Sequence, residues 1–175
     1  VRSRQHHFHS APEEQVASHF DRIDKLFQKT ATSITVPEFR RKHCEMMDTH
    51  MGVLRTKEGM ETMLAEIDRA NKEDLPNVSV NDQSRLYNYE LRDALEVPFR
   101  LAVEEMSTRA ALMREESRGS HFREDFPHRS DKEWLKNIVF SKTNGDLRME
   151  IRDVPLPVVR LEDIPEYAAS NSPWH

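Results

Sequence analysis

Between residues 114 and 127 the chain carries three arginines (Arg114, Arg118, Arg123), one histidine (His121) and four acids (Glu115, Glu116, Glu124, Asp125). Guanidinium forks pair bidentately with carboxylates or with phosphates. Two chemistries therefore fit the stretch. One is a grip on an anionic substrate or cofactor. The other is an ion-pair web that locks a helix end against another domain. Four acids can neutralise three arginines internally, so little positive charge is left for a ligand, and the web is the preferred reading. On that reading Arg118 and His121 are expected to be partly buried and hydrogen-bonded within the chain, or to face another domain.

The remaining reactive residues are sparse. His6, His7 and His9 form a cluster that neutral imidazole chemistry would allow to bind a transition metal, but a polar terminus carrying them needs no such role. His43, Cys44, Met47 and His50 fall within two turns of one predicted helix, and a soft-metal site is conceivable there. Met and His on an amphipathic stripe are more often core and boundary residues, and they are read so here. Cys44 is the single cysteine, so no intrachain disulfide and no multi-cysteine zinc site can form. That usage suits a reducing, cytoplasmic compartment. No residue is assigned as catalytic, cofactor-binding or metal-binding.

The 175 residues amount to one domain, or one domain with an appended lobe, at a formal net charge of -5. A mildly acidic chain has no general attraction for nucleic acid. Only 37% of the residues are hydrophobic and 33% are charged, yet the apolar ones recur periodically, which argues for a folded core. Four glycines, at 52, 59, 119 and 145, are all isolated. Phosphate-cradling loops need clustered glycines, so a nucleotide-binding domain is not expected on this chain. No apolar run reaches the roughly 18 residues of a membrane helix. The polar start at Val1, without Met, is read as that of a fragment or a processed chain.

The elements that must position these residues are mostly helical. Residues 1–9 are given no structure. Ser10 and Glu13 suggest a capped first helix of about 18 residues with Val16, Phe20, Ile23 and Phe27 as its inward stripe. Thr35-Val36-Pro37-Glu38 repeats the capping signal, and a second helix runs to about Met51, closed by Gly52, with Phe39, His43, Met46, Met47, His50 and Met51 on its stripe. Thr56 caps a third helix through Ala70, with Met60, Met63, Leu64 and Ile67 inward. Asn71 ends it, and residues 71–83 read as a loop. The longest pattern runs from about Gln83 to Glu116 through Leu86, Leu91, Ala94, Leu95, Leu101, Ala102, Met106, Ala110 and Met113. Pro98 predicts a kink in it rather than two helices. Ser130 is expected to cap a short turn carrying Trp134 and Leu135. Ile138 and Phe140, then Leu147, Met149 and Ile151, alternate around Asn144-Gly145, the strongest local hairpin signal. The expected fold class is mainly α. It is a three-helix, spectrin-repeat-like bundle (10–118) with a long kinked helix, a loop, short helix and β-hairpin lobe (119–154), and an extended Pro-rich tail (155–175).

The sequence Arg114, Glu116, Ser117, Arg118, Gly119, His121, Arg123, Asp125, Phe126, Pro127, followed by Trp134 and Leu135, resembles the C-terminal region of the succinate dehydrogenase/fumarate reductase flavoprotein family. L-aspartate oxidase belongs to that family, and the adenylylsulfate reductase α subunit is related to it. Met47 to Glu58, through Gly52, Val53, Arg55 and Thr56, resembles a second family stretch. Tyr87-Asn88-Tyr89-Glu90-Leu91 resembles the start of a family helix. Pro98 departs from the pattern, and the tail after Pro155 is a less familiar part of it.

The resemblance implies a C-terminal helical domain of an FAD-dependent oxidoreductase. The intact protein would move a hydride between flavin and a succinate- or fumarate-like dicarboxylate, with an arginine shuttling the proton. FAD and the catalytic residues would lie on N-terminal FAD-binding and capping domains of the same polypeptide. The motif residues Arg114 to Pro127, with Trp134, would then be structural or interdomain. An iron–sulfur subunit is a further implied partner, through which the protein would be membrane-associated. A domain that packs in this way should leave an apolar patch on its long or second helix. The competing reading is a free-standing helical interaction module.

Overall fold

The computed structural model describes residues 12–143 and 146–155. The expected Ser10 cap, the His6, His7 and His9 cluster, the Asn144-Gly145 turn and the tail from residue 156 lie outside the described residues. Four helices dominate: α1 (Glu13–Leu26), α2 (Val36–His50), α3 (Lys57–Arg69) and α4 (Tyr89–Met113). The fold is mainly α, as the periodicity predicts.

α2, α3 and α4 form the bundle and enclose one core, in which Phe39, Met60, Met63, Ile67 and Leu101 are buried. Two of these helices start as their sequences dictate. At α2 the Thr35 side chain and Glu38 close a reciprocal capping box. At α3 the Thr56 hydroxyl accepts the Gly59 N–H at 3.1 Å.

Three expectations about helix boundaries and faces are corrected. α1 begins at Glu13 with Pro12 at its cap position and no side-chain cap bond, and it buries none of its residues. Val16 and Phe20 are exposed, and only Leu26 and Phe27 at its far end pack on the core. α3 does not end at Asn71. It continues through a π-helical turn (Ala70–Asp74) and a 3₁₀ turn (Leu75–Asn77). Arg69 braces Glu66, Glu73 and Asp74 from one side, and Asn71 donates to the Ile67 carbonyl, so the chain keeps coiling past the polar residues that read as a loop. α4 begins six residues later than expected. Asn88 caps it by accepting the Leu91 N–H at 2.8 Å and donating to the carbonyls of Asp82 and Ser84. Tyr87, at φ 55, turns the chain just before it, which leaves Leu86 outside the helix.

Pro98 lies inside α4 without dividing it. The buried face of α4 is Ala94, Val97, Leu101, Glu104, Thr108 and Ala111, while Ala102 is exposed. The face includes two polar residues that an apolar pattern passes over. Both are satisfied: Thr108 donates to the Glu104 carbonyl and Glu104 meets His43.

Short strand pairs staple the connections. β1 (Ile34–Thr35) pairs in parallel with β3 (Val78–Ser79). β2 (Leu54–Arg55) pairs in parallel with β4 (Phe122–Arg123), with Leu54 opposite Phe122 and Arg55 opposite Arg123. A short helix α5 (Asp131–Trp134) follows, without the expected Ser130 side-chain cap. β5 (Lys136–Thr143) and β6 (Asp146–Asp153) then pair antiparallel in one register, from Lys136↔Asp153 to Thr143↔Asp146. No helix among the described residues is long and apolar enough to cross a membrane.

Candidate functional site: a charge knot at the end of α4

The last carbonyls of a helix have no partners within it, and the helix end carries partial negative charge. At the C-terminus of α4 one side chain supplies both donors and charge. Arg123 is 1% exposed. Its Nη1 donates to the carbonyls of Ala111, Leu112 and Arg114 at 2.9–3.1 Å. Its Nε and Nη2 grip both oxygens of Asp125 at 2.7 and 2.6 Å. The ring of Phe126 lies 4.9 Å from the guanidinium. Arg123 reaches this position because β4 holds its backbone against β2.

Glu116 is the second centre, and it is fully buried. It accepts from Arg114 at 2.6 Å, from Arg118 at 2.8 and 3.1 Å and from the Ser130 N–H at 2.9 Å. Burial alone would push its carboxyl up, but the bonds from Arg118, Ser130 and Arg114 together outweigh that and hold it below the ordinary carboxylate value. Arg114 also donates to the carbonyls of Trp134 and Lys136 at 2.8 and 2.6 Å and lies over the Trp134 ring. Arg118 continues to Asp131 at 2.6 Å, which Arg129 also grips. Ser117 accepts the Arg123 N–H and donates to the Phe126 carbonyl.

Gly119 sits at φ +58 in the tight turn where Arg118 and His121 exchange backbone bonds at 2.7 and 3.0 Å. A Cβ would have open space there, so backbone conformation is what selects glycine. The turn presents His121 to Arg55, whose Nη1 donates to its Nδ1 at 2.9 Å. Arginine has no acceptor, so the ring proton must sit on Nε2, which faces the Arg114 carbonyl at 3.3 Å. Burial depresses the His121 pKa, and the charges of Arg55, Arg123 and Arg114 add to that, overcoming the pull of the carbonyl.

The structure thus brings Arg114, Glu116, Ser117, Arg118, His121, Arg123, Asp125 and Trp134 into one network. Pro127 is exposed at its rim. Arg55 and Asp131 are the partners that spacing within the stretch does not disclose. Arg55 belongs to the second recognised stretch, so the two motifs meet through β2 and β4. The helix-2 cluster does not assemble as a unit. His43 is buried against Phe39, while Cys44 is exposed.

Comparison with known proteins identifies the arrangement. Residues 40–166 match the family described as fumarate reductase flavoprotein C-term. The chain belongs to this family. It is 35% identical over 129 residues to the succinate dehydrogenase flavoprotein subunit of Rickettsia bellii, covering 72% of this chain and 20% of that protein. It is 32% identical over 133 residues to the fumarate reductase flavoprotein subunit of Helicobacter pylori, covering 75% and 18%. Among solved structures, E. coli quinol fumarate reductase FrdA superposes at TM-score 0.71 with 26% identity, over 85% of this chain and 26% of that one. Sdh1 of Mycobacterium smegmatis, at TM-score 0.75 and 21% identity over 91% and 27%, shares the fold. The chain spans about a fifth of the length of the curated relatives it matches. The fumarate reductase flavoprotein C-terminal domain is thus the part of those proteins that this chain represents.

A second surface bears on partners. Around the N-terminal half of α4, Leu86, Tyr87, Tyr89, Phe99 and Val103 are exposed. Tyr87, Tyr89, Leu91, Leu95 and Phe99 line an open groove of about 490 Å³. Exposed apolar side chains thus lie on the long helix, interspersed with Arg85, Arg92 and Glu96 of the same groove.

Proposed function

We infer that the chain serves as the C-terminal helical domain of an FAD-dependent oxidoreductase of the succinate dehydrogenase/fumarate reductase type. The intact polypeptide would transfer a hydride between flavin and a small dicarboxylate. This domain packs on the FAD-binding and capping domains and supplies no catalytic group by itself. The helical bundle is taken as residues 10–118 and the hairpin lobe as 119–154. An iron–sulfur subunit, and membrane association through it, belong to the same proposal.

The observation that carries this reading is the closure of the charge knot. Arg114, Arg118 and Arg123 each meet carboxylates or backbone carbonyls of the chain itself. An anionic ligand would have to displace buried partners, at a cost of several kcal/mol each, roughly the cost of breaking a buried pair.

The described residues do not fit a flavin. A dinucleotide pyrophosphate needs free N–H groups at a helix N-terminus behind a glycine turn. The starts of α2, α3 and α4 are already capped by Thr35, Thr56 and Asn88, and α1, which has no side-chain cap, has no glycine in the sequence before it. Gly52 lies at the wrong end of α2, where a Cβ would stand 2.7 Å from the Asp48 carbonyl oxygen. Flavin chemistry is therefore assigned to the rest of the polypeptide.

The test is to express the complete reading frame that contains this chain, with its flavin spectrum and its fumarate reduction by a reduced viologen as readouts. Bound flavin and dicarboxylate-dependent turnover support the proposal. A complete polypeptide with neither would leave the free-standing interaction module as the better account.

A further inference from the structure

His43 presents an unpaired atom in the centre of the bundle. Its ring is fully buried and stacks on Phe39 with centroids 4.2 Å apart. Its Nδ1 lies 2.9 Å from Glu104 Oε2, and the Glu104 side chain is itself buried. A carboxylate accepts, so the ring proton belongs on Nδ1 and Nε2 carries a lone pair. That Nε2 is buried and has no hydrogen-bond partner among the described residues. Buried polar atoms are rarely left so.

Two carboxylates stand beside this ring. One ring nitrogen of His43, one oxygen of Glu66 and one of Asp74 all lie within 4.8 Å of one another. Glu66 comes from α3 and Asp74 from the π-helical turn that follows it. Both side chains are largely shielded from solvent. Bonds from Arg69 hold the Glu66 carboxyl down at about 2 against the upward push of burial, and they hold Asp74 low as well. Both are therefore ionised at neutral pH.

We propose that His43, Glu66 and Asp74 form a site for a divalent transition-metal ion of the zinc class, with Glu104 orienting the histidine. The donor set is one imidazole nitrogen and two carboxylate oxygens, which suits zinc. The imidazole donating its other N–H to a carboxylate is the arrangement that fixes tautomer and ring orientation in metal sites. Ligand atoms within 4.8 Å need small rotations to reach roughly 2.0–2.2 Å from a shared ion.

The place is presently served by two side-chain cations. Lys42 Nζ lies 2.8 Å from Glu66 and 3.4 Å from Asp74. Arg69 donates to both oxygens of Glu66 and to both oxygens of Asp74, so an ion would take up the second lone pair of oxygens that Arg69 already holds. Lys42 is 40% exposed and can swing into water, whereas Arg69 remains as a support that holds the two ligands. With Glu104 counted, three carboxylates face these two cations, so exchanging an ammonium for a divalent ion improves the local charge balance. The bound ion would join α2, α3 and the π-helical turn to one centre, with α4 attached through Glu104.

The experiment is calorimetric titration of the full chain with Zn²⁺, and with Co²⁺ followed by visible absorption. The background carries His6→Ala, His7→Ala, His9→Ala and Cys44→Ser to remove competing surface ligands. The expected result is saturable binding of one ion. Asp74→Asn should weaken it at least tenfold, and Lys42→Ala should tighten it severalfold by removing the competing ammonium. Lys42→Ala, checked to keep the parent's circular dichroism and melting temperature, decides the question even if Asp74→Asn is damaged. Absence of saturable binding in this background, or an affinity unmoved by Lys42→Ala, would overturn the proposal.

Discussion

At the C-terminal end of α4 charged side chains lie buried and paired, whereas along its N-terminal half apolar side chains lie in water. Arg123 and Glu116 are enclosed at one end; Tyr87, Tyr89 and Phe99 are 95%, 71% and 68% exposed at the other. Each is the reverse of what side-chain polarity alone would dictate. The buried charges are stable because each has its partners within the chain. The exposed apolar groups stay largely in water, Tyr89 with the Arg92 guanidinium over its ring, and such exposure is the usual mark of a surface that another protein surface covers. The comparison separates two roles that a list of motif residues runs together: the recognised arginine motif holds the domain closed, and the aromatic stretch faces outward.

The largest expected effect is at Arg123. Arg123→Ala leaves the end of α4 without its donors and Asp125 without its fork, and should cost about 3–5 kcal/mol, as removing one partner of a buried pair does. Urea unfolding of the chain measures it, and a loss below about 1 kcal/mol would place the knot among ordinary surface ion pairs. Glu116→Gln keeps the shape but removes the charge between Arg114 and Arg118, and should cost about 2–3 kcal/mol. Glu116→Gln with unaltered stability would sever the buried acid from the account of the knot.

Acid should open the knot in two stages. His121 has a folded pKa below its ordinary 6.5. The unfolded chain therefore takes up the proton first, and stability falls as pH drops below 6.5 toward the folded value. Glu116, Asp125 and Asp131 also have lowered values. Their contribution is complete above the ordinary 4.5 and 3.8 and is lost as pH falls through the folded values. His121→Gln should flatten the first stage alone while leaving the second in place. An unchanged profile from pH 7 to 5 would show that His121 does not titrate with folding.

The smallest effect on the chain itself belongs to the other surface. Phe99→Ser and Tyr89→Ser should leave stability within about 0.5 kcal/mol, because both rings are exposed and the Arg92 guanidinium over Tyr89 is itself exposed. In the complete polypeptide the same changes should loosen the domain and make it more susceptible to limited proteolysis. Equal proteolysis of the variant and the parent would remove the aromatic face from the proposed interface.

Much of this was legible in the residues. The Thr35 and Thr56 caps, the apolar spacing of α2 and α3, and the alternation of β5 and β6 are local, and local signals survive in sequence. The internal pairing of Arg118 and His121 followed from the balance of charge around them. What escaped depends on distance. The parallel pairs β1·β3 and β2·β4 are two residues long, too short to show periodicity. Arg55 meets His121 only because those pairs bring separated segments together. Glu104 and Thr108 face inward because His43 and a backbone carbonyl satisfy them, and an apolar pattern cannot register a buried polar residue. Val16 and Phe20 show the converse: their spacing marks an apolar face on α1 but not what would cover it.

The proposal that flavin binds on the rest of the polypeptide rests on motif arginines held within the chain and on the lack of a flavin cradle among the described residues. Equilibrating the purified chain with FAD, followed by gel filtration and visible spectroscopy, tests that directly. The account predicts that the flavin elutes free and the protein fraction stays colourless. A stoichiometric yellow complex that survives the column would contradict it and would move the cofactor site onto these residues.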